Sequence, residues 1–285
     1  MGPKAERVRD IVARGSEALA RAGVPNPVRE ARRLLSLAVG SPTAGLGPAD
    51  WVPPCVGRRY RALLAQRGRR VPFQLIEGET GFLDFDLAVG PGVFIPRPET
   101  EELAERAIAL LRSLPPRPLA LDLGTGSGAL ALALARARPD VSVIAVDVSP
   151  RALAYARRNV RVHGLEERVE VRRSNWFSRV SERFHLIVAN PPYVARPELA
   201  SLDPEVRRYE PRRALDGGPD GLSAIRWILA HAPRHLLPQG AIVMEIGDGQ
   251  AEEVLRFACR VPGLVETRVD RDLRGGERFF SGRCG

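Results

Sequence analysis

One stretch limits the possible folds more than any other. In "LALDLGTGSGALALALA" an apolar run ends at Leu123 and meets Gly124, Thr125, Gly126, Ser127 and Gly128, and an Ala/Leu-rich run follows at once. Glycines at such a junction let the backbone turn sharply and pass close to a ligand. A helix starting there aims its free N–H groups at whatever is bound. A glycine turn alone is a weak signal, so its surroundings carry the weight.

The next β-like run, "VSVIAVDV", ends in Asp147, and Ser149 and Pro150 follow as a helix cap and first-turn residue. A carboxylate at the tip of the second strand can accept both hydroxyls of a ribose. Strand, glycine loop, helix and acid together point to a nucleoside-type cofactor. The Gly-x-Gly-x-Gly spacing disfavours NAD. Asp122, just before the loop, would repel a pyrophosphate but suits the sulfonium and ammonium of S-adenosylmethionine.

From about 118 onward strands and helices alternate. Strands are expected at 119–123, 141–148, 169–173, 184–189, 241–246, 264–269 and 278–281, and helices near 129–137, 151–162, 222–236 and 250–259. This is the pattern of an α/β fold with a mostly parallel, Rossmann-like sheet. Residues 1–70 read as a small helical bundle, with Asn26 and Pro27 opening its second helix and a third helix at 56–66. "GSPTAGLGPADWVPP" reads as a loop. Residues 71–95 read as one or two hairpins linking this domain to a catalytic domain at 96–285. A helix begins at "PRPETEEL", with Glu99, Glu101 and Glu102 where the macrodipole favours carboxylates.

The fourth strand of the large domain runs into Asn190, Pro191, Pro192 and Tyr193. Neither strand nor helix continues through two prolines. Where the strand order reverses, the fourth strand lies beside the first, which brings Asn190 to the glycine loop. The Asn190 side-chain oxygen and the Pro191 carbonyl can then accept the two N–H bonds of a planar amide or aromatic amine. Such a nitrogen is a poor nucleophile, and this arrangement aligns it with a methyl donor while favouring charge on it. Tyr193 can stack on the acceptor.

The 285 residues carry a net charge of +9, almost wholly from arginine. An anionic partner, such as a ribosome or nucleic acid, fits that charge; an arginine-rich composition is the plainer alternative. No apolar run suits a bilayer, and the first residues lack a signal core. Cys55, Cys259 and Cys284 make no CxxC pair, so a reducing cytoplasm fits and a cysteine-rich metal site does not. His231 and His235 are four apart but flank Pro233 with no third ligand, so no metal is expected. "RRYRALLAQRGRR" reads as a solvated helix face, with contact to an acidic partner face as the alternative, and "VDRDLRGGERF" as a turn into a final hairpin.

At this point the chain resembles the HemK/PrmC family of release factor protein-(glutamine-N5) methyltransferases. "FIPRPETEEL", "LDLGTGSGALALALA", "VDVSPRAL", "NWFS", "VANPPYV", "YEPRRALDGGPDGL", "MEIGDGQ" and "RDLRGGERF" occur in that family's order. The resemblance implies a class I S-adenosylmethionine-dependent methyltransferase sheet behind an N-terminal helical domain that grips the release factor. It implies methylation of the glutamine of the release factor's Gly-Gly-Gln loop, leaving S-adenosylhomocysteine and modulating translation termination. By matching position, Gly124, Thr125, Gly126, Ser127, Gly128 and Asp147 would hold the cofactor, and Trp176 would pack on its adenine. Asn190 would touch cofactor and glutamine, while Pro191, Pro192 and Tyr193 would shape the glutamine pocket. Phe94, Pro96, Arg97, Pro98 and Thr100 would wall the cofactor site. Asn175 stands where the family often has Asp, with a modest effect on cofactor affinity expected. A monomer needing neither membrane nor nucleic acid is implied. Asn-Pro-Pro-Tyr is shared with adenine-N6 methyltransferases acting on nucleic acid, which are the alternative, although no long target-recognition insertion is present. A methyltransferase-like fold kept as a ribosome-associated binding protein is a third reading, opposed by the intact motifs.

Overall fold

The computed structural model describes residues 5–40 and 47–285; part of the loop expected at 40–54 lies outside them. Two compact units emerge, 1–78 with 204–209, and 79–203 with 210–285.

The first unit is mainly helical. After a two-residue strand Glu6–Arg7 (β1) come Val8–Arg21 (α1) and Pro27–Val39 (α2), then Trp51–Val52 (β2), Pro54–Gly68 (α3) and Phe73–Glu77 (α4). Leu19, Ala31, Leu34, Leu35 and Tyr60 fill its core, the helical spacing bringing each to one face. Asn26 does precede α2, but its backbone is left-handed (φ 50) and its side chain makes no capping bond. The extended geometry that aims a cap side chain at the first-turn N–H groups is missing, and Pro27 already removes one of those donors. The basic face of α3 is not uniformly solvated: Arg67 is only 5% exposed. Its guanidinium bonds Glu30 at 2.9 Å and Glu205 at 2.9 Å. Glu205 also accepts from Arg70 at 2.5 and 2.6 Å. An arginine so enclosed persists because its five donors find fixed acceptors.

The second unit opens with a hairpin, Glu79–Phe82 (β3) and Phe85–Ala88 (β4). Of the 71–95 stretch, residues 73–77 are therefore helix, not strand, and a single hairpin forms. Phe82, Phe85 and Leu87 of that hairpin are buried in this unit's core. Then follow Pro98–Arg112 (α5), Leu119–Leu123 (β5), Ala129–Ala137 (α6), Ser142–Asp147 (β6), Pro150–Val162 (α7), Val169–Arg173 (β7) and Phe184–Ala189 (β8). A 3-10 turn at Arg196–Ala200 precedes Pro204–Tyr209 (α8), which belongs to the first unit. The chain returns through a 3-10 turn at Arg212–Ala214 to Ser223–His235 (α9), Leu236–Glu245 (β9), Ala251–Ala258 (α10), Leu264–Arg271 (β10) and Glu277–Cys284 (β11).

The large sheet has seven strands in the order β10-β11-β9-β8-β5-β6-β7. β9, β8, β5, β6 and β7 run parallel, and β11 is antiparallel to β9 and β10. Side-chain alternation splits the core between two faces. Ala120, Val143, Leu186 and Val243 lie in one apolar cluster with α5 and α6. Leu121, Ile144, Ile187 and Ile242 lie in the other with α9 and α10. Burial on both faces is why these strands read as continuous apolar runs. β5 and β8 are neighbours, so the order reverses at β5, as expected for the fourth strand beside the first. The "VDRDLRGGERF" segment does turn into the terminal hairpin, with Asp272 accepting from the Arg274 and Gly276 N–H groups at 2.9 and 2.8 Å.

Candidate active site

Three strand ends meet at the switch point. β5 delivers the glycine loop, β6 delivers Asp147, and β8 delivers Asn190. The loop folds back on β6: the Gly124 and Thr125 N–H groups both donate to the Val146 carbonyl at 2.9 Å. Gly124, Gly126 and Gly128 all have positive φ. At Gly128 a Cβ would also stand 3.0 Å from Leu132 Cδ1 and 3.4 Å from the Ala156 backbone, so glycine is required there for helix packing. Buried Asn159 holds the loop from behind, donating to the Ser127 carbonyl at 2.8 Å and to the Ala88 carbonyl at 3.0 Å.

Asp147 accepts from the Gly126 N–H at 3.1 Å and the Ser149 N–H at 2.7 Å. Each oxygen keeps a further lone pair for a ligand hydroxyl. Burial raises its pKa. Ser149 caps α7 by accepting from the Ala152 N–H at 3.3 Å. Asp122 is 1% exposed. Its Oδ2 accepts from Thr125 Oγ1 at 2.6 Å and from the Ala131 N–H at 3.1 Å. Burial pushes its carboxyl up to about 7, and the neighbouring Asp147 adds to the rise. Its Oδ1 has no partner, nor has Ser127 Oγ, though both are buried. Both residues line the cavity. Asp122 is thus only partly charged near neutral pH, until a cation or strong donor arrives to engage Oδ1.

The Asn-Pro-Pro-Tyr turn is framed by two later segments. Gln250 donates to the Tyr193 carbonyl at 2.9 Å and accepts from the Gly247 N–H at 2.8 Å. Val194 exchanges backbone bonds with Leu215 and Gly217 at 3.0 and 2.9 Å. Gly221 sits so close that a Cβ would stand 2.3 Å from the Tyr193 carbonyl oxygen. The "DGGPDGL" and "MEIGDGQ" motifs therefore hold the turn in place.

Asn190 ends in a buried polar chain. Its Nδ2 donates to Thr100 Oγ1 at 3.0 Å. Thr100 Oγ1 donates to Glu245 Oε2 at 3.1 Å. Tyr193 Oη donates to Glu245 Oε1 at 3.0 Å. Glu245 is 1% exposed, and burial pushes its carboxyl up to about 7. Burial, and then the Glu245 charge, raise the Tyr193 phenol strongly, so the phenol stays protonated.

One family model, described as methyltransferase small domain, matches residues 88–202, and one described as PrmC N-terminal domain matches 10–78. A release factor glutamine methyltransferase of Rhodospirillum rubrum is 42% identical over 275 residues, 96% of this chain and 84% of that protein. The chain belongs to the release factor glutamine methyltransferase family. A relative of the same name from Cereibacter sphaeroides is 42% identical over 279 residues, 97% of this chain and 98% of its own. The solved structure of a methyltransferase from Pyrococcus furiosus superposes with a TM-score of 0.52 at 19% identity, covering 80% of this chain and 98% of that one. At that identity the likeness speaks for the fold, which is the Rossmann-like class I methyltransferase fold.

In this release factor glutamine methyltransferase family member, the expected site residues mostly converge. Gly124, Thr125, Gly126, Ser127, Asp147 and Trp176 line one cavity. Asn190, Pro192, Tyr193, Phe94, Pro96 and Thr100 line it too, as does Asn175. Four expected residues do not line it: Gly128, Arg97, Pro98 and Pro191. Gly128 caps α6, and Pro98 is the first residue of α5. Pro191 is buried. Arg97 is turned to an ion pair with buried Glu210, its guanidinium 5.1 Å from the Phe94 ring centre. Trp176 lies against Gly124, whose missing Cβ would be 3.5 Å from the indole. His231 and His235 serve as stacking surfaces, on Trp227 at 4.1 Å and on Phe177 at 4.3 Å between ring centres. Glu245, Gln250, Asn159 and Glu210 escaped individual notice in the sequence. A carboxylate or amide closing an otherwise apolar strand, as in "AIVMEIGDGQ", was the available signal for the first two.

Proposed function

We propose that this protein transfers a methyl group from S-adenosylmethionine to the glutamine side-chain nitrogen of the Gly-Gly-Gln loop of peptide chain release factors. The observation that supports the acceptor class is the orientation of Asn190. Because Nδ2 is engaged by Thr100, Oδ1 is the end left to accept an N–H from the acceptor. A backbone carbonyl of the Pro191–Pro192 turn takes the second N–H, and Tyr193 packs against the amide plane. Two acceptors so placed hold the amide nitrogen in line with the methyl donor and favour positive charge building on it. No strong base is required, since methylation itself acidifies the nitrogen.

The cofactor reading rests on the unpartnered Asp122 Oδ1 and the spare lone pairs of Asp147 in the cavity. Asp122 Oδ1 suits the ammonium of the methionine moiety, and Asp147 suits ribose hydroxyls. Trp176 offers a face to adenine, with Asn175 beside it able to accept through its side-chain oxygen. When bound, S-adenosylmethionine supplies an electrophilic methyl on its sulfonium. The first unit, residues 1–78 with α8, is proposed to grip the release factor. No helix among the described residues is long and apolar enough to cross a membrane, and a reducing cytoplasm is the proposed setting for three free cysteines.

The test is methyl transfer from labelled S-adenosylmethionine, offering purified release factor, its variant with the Gly-Gly-Gln glutamine replaced by alanine, and unmethylated DNA. Label on the release factor that vanishes with the variant is expected. Label on DNA alone would move the protein to the adenine-N6 methyltransferases. Cofactor binding without any transfer would make it a binding protein.

A further inference from the structure

The polar chain behind Asn190 contains more groups than holding a strand end requires. A primary amide presents nearly the same shape either way round, so packing alone does not choose which end faces the acceptor. Hydrogen bonding does. An ionised Glu245 has no proton to give, so Thr100 must donate to it. The Thr100 hydroxyl has one proton, so towards Asn190 it can only accept. Asn190 must then present Nδ2 to Thr100 and Oδ1 to the cavity. Tyr193, donating to the second Glu245 oxygen, ties the aromatic wall of the pocket to the same carboxylate.

We propose that Glu245 is a positioning residue that, through Thr100, sets the end of the Asn190 amide that meets the acceptor and so selects acceptors bearing N–H groups over carboxylates. The inference rests on the glutamine-methyltransferase reading. If Glu245 carried a proton towards Thr100, the chain of donors would reverse: Thr100 would donate to Asn190 Oδ1, and Nδ2 would face the cavity. That arrangement suits a carbonyl or carboxylate oxygen and repels an amide NH2. The charged groups acting on Glu245 are Arg278 of β11, which favours ionisation, and Glu99 of α5, which opposes it. Tyr193, bonded to the same carboxylate, feels Arg278 and Arg97.

The experiment compares wild type with Glu245→Gln, Thr100→Val and Thr100→Ser in the full chain. The readouts are kcat and KM for release factor at saturating S-adenosylmethionine, S-adenosylhomocysteine affinity by calorimetry, and Tm. Glu245→Gln and Thr100→Val are expected to lower kcat by roughly tenfold or more, with cofactor affinity within about threefold. Thr100→Ser keeps the hydroxyl and is expected to stay within about threefold of wild type. A Thr100→Val enzyme with wild-type kcat, or a Thr100→Ser enzyme as poor as Thr100→Val, overturns the proposal. The side-chain amide resonances of Asn190, assigned by their absence in Asn190→Ala, give a readout free of activity. In wild type they are expected to move as pH passes through about 7, to which burial pushes the Glu245 carboxyl. Resonances indifferent to pH overturn the proposal even if a variant fails to fold. If wild type transfers no methyl to release factor, the substrate reading falls, and the same resonances still decide the role of Glu245.

Discussion

Asp122 shows how one buried carboxylate can serve both fold and ligand. Oδ2 is spent on Thr125 and the first turn of α6, while Oδ1 is kept without a protein partner. Its pKa is raised to about 7, first by burial and then by Asp147, so the carboxyl is about half protonated near neutrality. A cationic ligand binds the ionised form, hence affinity for S-adenosylmethionine should strengthen as pH rises through about 7. Calorimetry across that range checks the direction, and Asp122→Asn should weaken binding and flatten the profile. At Asn190 the expected effect lies in the chemical step. Asn190→Ala removes an acceptor aimed at developing charge and should lower kcat by roughly a hundredfold, with S-adenosylhomocysteine affinity changed far less. Rapid-quench and binding measurements separate the two. The sequence marks Asp122 by its charge just before the glycine loop and Asn190 by its place where the fourth strand meets two prolines. Glu245 closes β9 but has no motif partner nearby in sequence. Its partners Thr100 and Tyr193 lie 145 and 52 residues away.

At the scale of elements, the segments between the strands are as specified as the strands. The turn after β8 has no regular ladder to hold it. Its geometry comes from Gln250 and from the glycines at 217, 218 and 221. At Gly221 both constraints act together, a φ of +79 and a near contact with the Tyr193 carbonyl. Gly221→Ala should therefore destabilise the protein by about 1–3 kcal/mol, a loss of several degrees in Tm. It should also lower methyl transfer, because any relief of the contact displaces Tyr193. A variant with unchanged Tm and kcat would show the turn to be more forgiving than its geometry states. The strands β5 and β8 are legible from sequence to the residue, since burial on both sheet faces makes nearly unbroken apolar runs. The helix α4 was missed because five residues, "FQLIE", are too few to display a helical period. α8 was missed for the same reason.

For the molecule as a whole, α8 shows that chain order and spatial grouping differ. It lies between segments of the second unit in sequence, yet Glu205 fastens it to Arg67 and Arg70 of the first. Removing one partner of an enclosed ion pair leaves the other uncompensated. Glu205→Ala should accordingly cost about 1–3 kcal/mol in the helical unit. Calorimetry should register this as a lowered transition, with cofactor affinity unaltered. An unchanged transition would mean that water serves Arg67 and Arg70 as well as Glu205 does. The sequence by itself determined the α/β class, the strand–glycine–helix loop, Asp147 at the second strand tip and the proline-stopped fourth strand. Each of these is a local demand of backbone geometry or of apolar periodicity, and local demands are visible in a window of residues. Only the tertiary structure decided that Arg67 is enclosed, that Arg97 serves Glu210 and not the cavity, and that Glu245, Thr100 and Asn190 form one chain of hydrogen bonds. Those outcomes depend on which distant polar groups share a desolvated space, and burial of that kind leaves no period in the chain.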